Sequence, residues 1–132
     1  MDIYTIQIAK RSKLPMDIEF IDATRKSGDL RLAPTWNMVM GVKDHIAAHC
    51  NPEIGVSIAD FRRQYRDIIQ QSIMDDRPFW EALVQKEKIA IACYCSLETN
   101  KIKFCHRLLL KEYLLHLCHL KQIPSTDCGE IT

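Results

Sequence analysis

The sequence predicts one small α/β domain, with a short and mainly parallel sheet that carries helices on both faces. Patterns typical of strands and helices alternate along the chain, and the segments between them are too short to hold a second domain. Residues 89–93 are apolar without a break, as in a strand that is covered on both faces. The 132 residues are sufficient for one core. We therefore expect residues 1–123 to form the domain and residues 124–132 to be a flexible C-terminal tail.

Three segments have strand character. In residues 2–8, isoleucines recur among tyrosine and threonine, which are residue types that favour strands. Residues 16–23 place Ile18 and Phe20 on one face, and a polar turn with two cations and a glycine follows them. Residues 88–95 contain the apolar run and end in Cys-Tyr-Cys. We expect these segments to supply the strands of the sheet.

Four segments have helical spacing or helix-capping residues. Thr35 is placed to cap the first of them and Ser57 the second. The third begins at Arg77-Pro78, because proline is favoured in a first turn. The fourth covers residues 105–120 and is rich in leucine. Helices between consecutive strands are the connections that a parallel sheet needs, so the predicted arrangement is Rossmann-like.

Charge and composition argue against several classes of protein. The formal net charge of +1 gives no global preference for nucleic acid, membranes or acidic partners. No apolar run reaches the roughly 18 residues of a membrane span, and residues 1–15 lack the basic and apolar segments of a secretory signal. We therefore expect a cytoplasmic protein that does not contact membranes. In that reducing compartment, its six cysteines are expected to be thiols or metal ligands rather than disulfides.

Two polar segments follow predicted strands and mark a candidate site. Arg25 and Lys26 come after the second strand, and Tyr94, Cys95 and Ser96 lie at the end of the third. Ligands of open α/β sheets bind beyond the carboxyl ends of the strands, because loops and helix N-termini meet there. We therefore expect the two strand ends to face one crevice.

A metal site is the first interpretation of this crevice. Cys93, Cys95, Cys105 and His106 are ligands of the kind that zinc prefers. However, Cys-x-Cys, a gap of nine residues and Cys-His is not a usual zinc spacing. On a helix, the neighbouring Cys105 and His106 would also point about 100° apart. We therefore predict no metal ligand and no cofactor.

A reactive thiol is the second interpretation. Cys105 lies at a predicted helix N-terminus beside His106 and Arg107, an environment that lowers a thiol pKa. Cys95 could equally be the nucleophile, with His106 as its base. If the protein is an enzyme, we expect Cys95, Cys105 and His106 to be its catalytic residues. The leading reaction class would be hydrolysis of a nucleotide or transfer of a group from it.

An anion pocket is the third interpretation, and the prediction of function is based on it. A helix N-terminus offers free N–H groups to an anion. Arg107, with Arg25 and Lys26 across the crevice, would hold a phosphate or carboxylate, and Tyr94 or Ser96 would line the pocket. We therefore expect binding of a small anionic ligand, most simply a nucleotide or a phosphate derived from nucleic acid.

The alternative function is that of a non-enzymatic interaction protein, for example one that binds a host protein. The cysteines would then be core residues, as buried cysteines commonly are. Nucleic acid is a further candidate partner because Arg62, Arg63 and Arg66 form a basic helix face, although neighbouring acids dilute it. Trp36 and Trp80, near two helix starts, are expected to lie in the core.

Several motifs resemble those of one known family. They are IDATR, LAPTW, FRRQYRDII, and IACYC followed by FCHRLLL, within residues 17–120. They are similar to the bacterial, archaeal and phage proteins called domain of unknown function 488 (DUF488). Family members often carry Asp-x-Arg at the earlier strand end, where this chain has one residue more between Asp22 and Arg25. The resemblance implies a compact α/β fold with a site at the two strand ends, and it adds a phage accessory protein to the expectations.

Overall fold

The computed structural model describes residues 1–95 and 104–132 of the chain. In these residues four strands form one sheet in the order β2-β3-β1-β4, and all neighbouring pairs are parallel. The strands are β1 (Asp2–Gln7), β2 (Glu19–Asp22), β3 (Lys88–Cys93) and β4 (Thr126–Ile131). The helices are α1 (Trp36–Ala47), α2 (Ile58–Asp75), α3 (Arg77–Val84) and α4 (His106–Leu120), and a 3-10 helix covers Ile8–Lys13. The predicted α/β domain with a mainly parallel sheet is confirmed.

The sheet is covered on both faces, by the α-helices on one face and by the short 3-10 helix on the other. The connection from β1 to β2 and the connection from β2 to β3 run in opposite directions along the sheet. Crossovers of the usual right-handed sense therefore place them on opposite faces. The packing agrees, because Ile3 and Ile91 share a core with α-helical residues, whereas Ile6 packs with Ile8 and Leu14. Among the described residues, only one face carries a full helical layer.

The N-termini of α1 and α2 are capped by the residues that the sequence indicates. The Thr35 hydroxyl accepts a hydrogen bond from the backbone N–H of Met38 at 3.2 Å. The Ser57 hydroxyl accepts one from the N–H of Asp60 at 3.1 Å, and the side chain of Asp76 caps α3. These bonds satisfy N–H groups that the helices leave unpaired. In residues 1–95 and 104–132, none of the helices combines the length and the apolar character that crossing a membrane requires.

The two tryptophans have different surroundings. Trp80 is buried, and its indole N–H donates to the Ser72 hydroxyl at 3.0 Å. Trp36 is 51% exposed, so the prediction that it lies in the core is wrong. The physical reason is its place on α1, where Met38 and Val42, four residues apart, form the buried face and Trp36 points away from it.

Residues 126–131 form an edge strand, so the prediction of a flexible C-terminal tail is wrong for them. β4 pairs in parallel with β1, and the N–H of Thr126 donates to the carbonyl oxygen of Met1 at 3.0 Å. An edge strand is paired on one side only and keeps a polar composition. Gly129, with a φ of 79°, lies where the register with β1 shifts. This polar and irregular sequence is the reason why its composition resembles that of a tail.

Candidate functional site

The carboxyl ends of β1 and β3 lie side by side, and the chain continues from them on opposite faces of the sheet. The 3-10 helix after β1 packs on one face, whereas α4, the next described element after β3, packs on the other. Such a change of direction opens a crevice beyond the strands, which is where open α/β sheets bind ligands. β2 lies at the sheet edge, but its pairing with β3 brings its carboxyl end to the same crevice.

The turn after β2 (residues 22–28, the β2-end turn) is held by the carboxylate of Asp22. This carboxylate accepts hydrogen bonds from the N–H of Thr24 at 2.9 Å, from its hydroxyl at 2.7 Å and from the Ser27 hydroxyl at 2.5 Å. Gly28 approaches so closely that a Cβ atom there would lie 2.2 Å from the carbonyl oxygen of Asp22. The Ser27 and Tyr94 hydroxyl oxygens are 2.7 Å apart. The β2-end turn is therefore fixed internally and joined to the end of β3.

The β2-end turn presents two of the cations that the sequence predicts as ligand-binding residues. Arg25 is half-buried and Lys26 is exposed. The Lys26 ammonium lies 5.3 Å from the ring centroid of Tyr94, which is itself exposed. Among residues 1–95 and 104–132, neither cation forms an ion pair with a carboxylate. Ser96, the remaining predicted lining residue, lies outside the described residues.

A cleft of ≈ 590 Å³ opens along the β2 edge beside this turn. Its lining includes Asp22 and Ser27 of the turn and the rings of Phe20 and Phe79. The guanidinium of Arg11 lies 4.0 Å from the Phe20 ring centroid. Small-molecule sites commonly have volumes of roughly 300–1,000 Å³. The sequence analysis missed this cleft, because its walls come from segments that no motif connects.

The three predicted catalytic residues lie together at a second, smaller pocket. Cys95, Cys105 and His106 line a pocket of ≈ 70 Å³ between the end of β3, the start of α4 and α1. Most of the remaining wall is apolar and includes Phe61 and Phe104. Cys95 is half-buried, whereas Cys105 and His106 are buried. Of these three residues, Cys95 is the one that a solute reaches most easily.

Cys93, Cys105 and His106, which we call the thiol cluster, converge behind this pocket. One donor atom from each lies within 4.8 Å of the others, and all three residues are buried. Cys105 precedes α4 as its N-cap, in an extended conformation with φ −157° and ψ 147°. Its side chain is therefore not fixed at a helical angle from that of His106. The objection that the two point about 100° apart assumed that both are helical, and the structure removes it.

The imidazole of His106 has a defined tautomer. Its Nε2 lies 3.0 Å from the carbonyl oxygen of Ala23, and because a carbonyl only accepts, Nε2 carries the hydrogen. Nδ1 is then left with a lone pair and lies 4.0 Å from the Cys105 sulfur. Burial lowers the pKa of His106 to about 4. The ring is therefore neutral at pH 7, with its basic nitrogen turned toward the thiols.

Arg107 is fully buried and is surrounded by acceptors from the protein. Its Nε and one terminal nitrogen donate to the two carboxylate oxygens of Glu130 at 3.1 and 2.7 Å. The other terminal nitrogen donates to the Cys93 sulfur and to the Cys95 carbonyl oxygen, both at 2.8 Å. The sequence predicts Arg107 as an anion ligand. In the structure it instead connects β3, α4 and β4, and an incoming anion would have to displace these partners.

Glu130 is a site residue that the sequence analysis missed. It accepts the two bonds from Arg107 and one from the Thr5 hydroxyl at 2.5 Å. Burial by itself would raise the pKa of Glu130, but the hydrogen bonds from Arg107 and Thr5 outweigh it, so the pKa is lowered. No motif indicates this contact, because it joins residues 23 positions apart through a strand with the composition of a tail.

Comparison with protein families agrees with the motifs. The family model described as the active DUF488-N3 subclade (DUF488-N3a) matches residues 24–117, which is more than half of the chain. The chain belongs to the DUF488 family. The resemblance predicted from the motifs is thereby confirmed. No curated protein and no solved structure matches the chain.

The matched DUF488 region contains every site residue that the sequence predicts, from Arg25 to Arg107. Thr5 and Glu130, which complete the surroundings of Arg107, lie outside the matched region. The Arg107–Glu130 pair therefore joins the matched region to the C-terminal strand.

Proposed function

We propose that this DUF488 protein binds a small anionic ligand, such as a nucleotide or a phosphate derived from nucleic acid, beyond the carboxyl ends of its strands. The observation that carries the proposal is the position of Arg25 and Lys26 on a fixed turn beside the exposed Tyr94. Neither cation has a carboxylate partner among the described residues, so their N–H groups are available to a phosphate. A fixed backbone also lowers the cost of ordering these groups on binding.

The cleft along the β2 edge supports a ligand of nucleotide size in a Rossmann-like mode of binding. Its ≈ 590 Å³ would accommodate a base and a sugar. Phe20 and Phe79 line the cleft with arginine guanidinium groups over their rings, Arg11 at 4.0 Å and Arg31 at 3.7 Å, and bases stack on aromatic rings and on guanidinium planes. Ser27 belongs to both the cleft and the β2-end turn. The base would thus lie in the cleft, with its phosphate close to Lys26.

We further propose that the protein is a hydrolase or transferase acting on this ligand, with Cys95 as the reacting thiol. Cys95 is the most accessible of the three residues that the sequence predicts as catalytic, and it lines the small pocket with Cys105 and His106. The description of the matching subclade as active supports an enzyme. The proposal places the protein in the cytoplasm, where thiols remain reduced.

Binding is tested with a panel of nucleotides and inorganic phosphate, followed by isothermal titration calorimetry. The double variant Arg25→Ala/Lys26→Ala should bind at least about tenfold more weakly, because two charge-assisted hydrogen bonds are lost. Arg62→Ala/Lys121→Ala is a matched control that removes one arginine and one lysine from exposed positions, on α2 and directly after α4, and should bind like the wild type. Equal affinity of all three proteins for every ligand would contradict the proposal.

Catalysis is tested with the single variant Cys95→Ser. Its oxygen is a poorer nucleophile than a thiolate, so turnover of the bound ligand should fall at least about a hundredfold. The ligand should still bind, because the anion contacts come from the β2-end turn. Cys128→Ser, which changes a half-buried thiol on β4, is the control. Unchanged turnover in Cys95→Ser would show that this thiol does not react.

A second candidate function is binding of a partner protein, as expected of a phage accessory factor that acts on a host. Trp36 and Met40 favour it, because they lie four residues apart on α1 and are 51% and 52% exposed. Exposed aromatic and methionine side chains are enriched at interfaces. The variant Trp36→Ser/Met40→Ser should lose a captured host partner that Arg25→Ala/Lys26→Ala retains. Capture of the same partner by both variants would place the interface elsewhere.

A further inference from the structure

The thiol cluster has the donor set of a metal site. It is the only group of three histidine, cysteine or acidic residues with converging donor atoms found among residues 1–95 and 104–132. The Cys93 and Cys105 sulfurs are in contact, and Nδ1 of His106 lies 4.0 Å from the second of them. Around one zinc ion, sulfur and nitrogen ligands are about 3.5–3.8 Å apart. Small side-chain rotations would therefore bring all three donors to a common ion.

The backbone positions of the two cysteines do not suit a disulfide. Their Cα atoms are 7.9 Å apart, whereas disulfides usually require about 4.4–6.8 Å. A shared metal ion holds two sulfurs farther apart than a covalent bond does, so it accommodates more widely spaced backbones. The separation of Cys93 and Cys105 therefore favours two ligands of one ion over a cross-link.

The hydrogen bond from His106 to Ala23 prepares the imidazole as a ligand. Because Nε2–H donates to the carbonyl oxygen, the lone pair on Nδ1 is the one that faces the two sulfurs. Metal-bound histidines nearly always donate their other ring N–H to a carbonyl or carboxylate, which fixes the tautomer and the ring orientation. Ala23 provides this support from the end of β2.

The charges around the cluster also suit a divalent cation. Arg107 donates to the Cys93 sulfur at 2.8 Å, and cysteines that ligate a metal do so as thiolates. Glu130 neutralises Arg107 through their ion pair at 2.7 Å. Two thiolates and a neutral imidazole then balance the charge of one divalent ion. The buried cluster would be electrically neutral with the ion bound, which avoids the large cost of burying an unpaired charge.

We propose that Cys93, Cys105 and His106 bind one soft divalent cation, most favourably Zn²⁺. This set provides three protein ligands, as catalytic zinc sites do, and leaves a fourth position to water or substrate. Cys105 and His106 also line the ≈ 70 Å³ pocket, where such a molecule would lie. On this assignment Cys105 and His106 hold the metal rather than act as nucleophile and base. The inference goes beyond the proposed function and does not depend on anion binding.

The test is a metal measurement on the full chain purified in a thiol reductant without chelator. After equilibration with Zn²⁺ and dialysis, the wild type should retain close to one zinc per chain by mass spectrometry. The Co²⁺-loaded protein should show thiolate-to-cobalt charge-transfer absorption. Cys93→Ser and Cys105→Ser should each lower the retained metal at least about tenfold, since each loses a first ligand. Cys118→Ser, which changes a buried thiol on α4 outside the cluster, should bind like the wild type.

A second measurement uses only the wild type, so its result does not depend on whether the variants fold. Zn²⁺ should protect Cys93 and Cys105, two of the six cysteines, from alkylation, and a chelator should expose them. Three results would overturn the proposal. In the first, the wild type retains no zinc. In the second, the serine variants retain as much zinc as the wild type. In the third, Cys93 and Cys105 form a disulfide, and chelator does not change the protein.

Discussion

The two arginines at the crevice have opposite surroundings. Arg25 is half-buried on the β2-end turn and has no ion-pair partner among the described residues, whereas Arg107 is fully buried beneath the end of β3 and bonds to Glu130, Cys93 and Cys95. Both follow a strand in the sequence, and the motifs alone give them the same predicted role. In the proposed function Arg25 holds the ligand, whereas the observed partners of Arg107 belong to the protein itself. Position relative to a strand end therefore locates a site without stating what each residue does there.

This difference in surroundings predicts that the two arginines contribute to different properties, one to ligand binding and the other to folding stability. A buried guanidinium that loses its partners carries a large cost, because its charge is then uncompensated. A half-buried guanidinium without an ion-pair partner contributes less to folding but keeps its donors available to a ligand. The two regions should therefore respond differently to the same substitution.

The largest effect is expected for Arg107→Ala. It removes the ion pair with Glu130 and leaves the Cys95 carbonyl oxygen without its donor, so the free energy of unfolding should fall by about 3 kcal/mol or more. Arg25→Ala is the matched variant and should change it by less than about 0.5 kcal/mol. Urea denaturation followed by circular dichroism measures both. Similar losses in the two variants would remove the distinction between them.

Gly28→Ala should have the next largest effect on the free energy of unfolding. It alters the β2-end turn without changing a charged residue. The added Cβ would meet the Asp22 carbonyl oxygen at 2.2 Å, so the backbone must move, at a cost of about 2 kcal/mol. Anion affinity should fall as well, since Arg25 and Lys26 would be displaced. Gly129→Ala is the control. It meets no atom within 4 Å, but its φ of 79° makes alanine unfavourable by about 1 kcal/mol. Normal anion affinity in Gly28→Ala would show that the geometry of the turn does not matter for binding.

The parts of the fold that depend on local chemistry were predictable from the sequence. Thr35 and Ser57 cap their helices, and the apolar run of β3 is covered on both faces. Both features could be predicted because helix caps and apolar runs depend on residues that are adjacent in the sequence. β4 was not predictable in this way. Its pairing with β1 depends on contacts distant in the chain, and an edge strand lacks a strong apolar pattern.

The features of the candidate site also differ in whether the sequence predicts them. The crevice and the grouping of Cys95 with His106 follow from where the strands end. The role of Arg107 does not, because it is set by Glu130, which lies on the unpredicted strand. Two features of the sequence argue against a metal site, the unusual ligand spacing and a helical Cys105, and the structure removes the second. An extended N-cap residue cannot be distinguished from a first helical residue by composition alone.

Acid should weaken the region around Arg107 through Glu130, whose pKa is lowered by the hydrogen bonds from Arg107 and Thr5. A carboxyl group with a lowered pKa in the folded state stabilises the protein at pH values above its ordinary pKa. That contribution is lost as the pH falls below the ordinary value of 4.5 and through the folded one. Urea midpoints measured from about pH 6 down to about pH 3 should therefore decline more steeply in the wild type than in Glu130→Gln. Parallel declines would show that Glu130 does not contribute to the acid sensitivity.

The smallest effect is expected for Tyr94→Phe, which tests the link between the β2-end turn and β3. It removes the hydroxyl that lies 2.7 Å from the Ser27 oxygen but keeps the ring beside Lys26. Because the lost hydrogen bond is exposed, stability should fall by only about 0.5 kcal/mol, and anion affinity by about twofold. Tyr113→Phe is the control, since it removes a hydroxyl bonded to the Arg62 carbonyl oxygen, away from the crevice, and should leave anion affinity unchanged. Calorimetry on both variants decides the question. If the two affinities are equal, Asp22 and Gly28 are sufficient to hold the turn, and the contact with Tyr94 is not needed for binding.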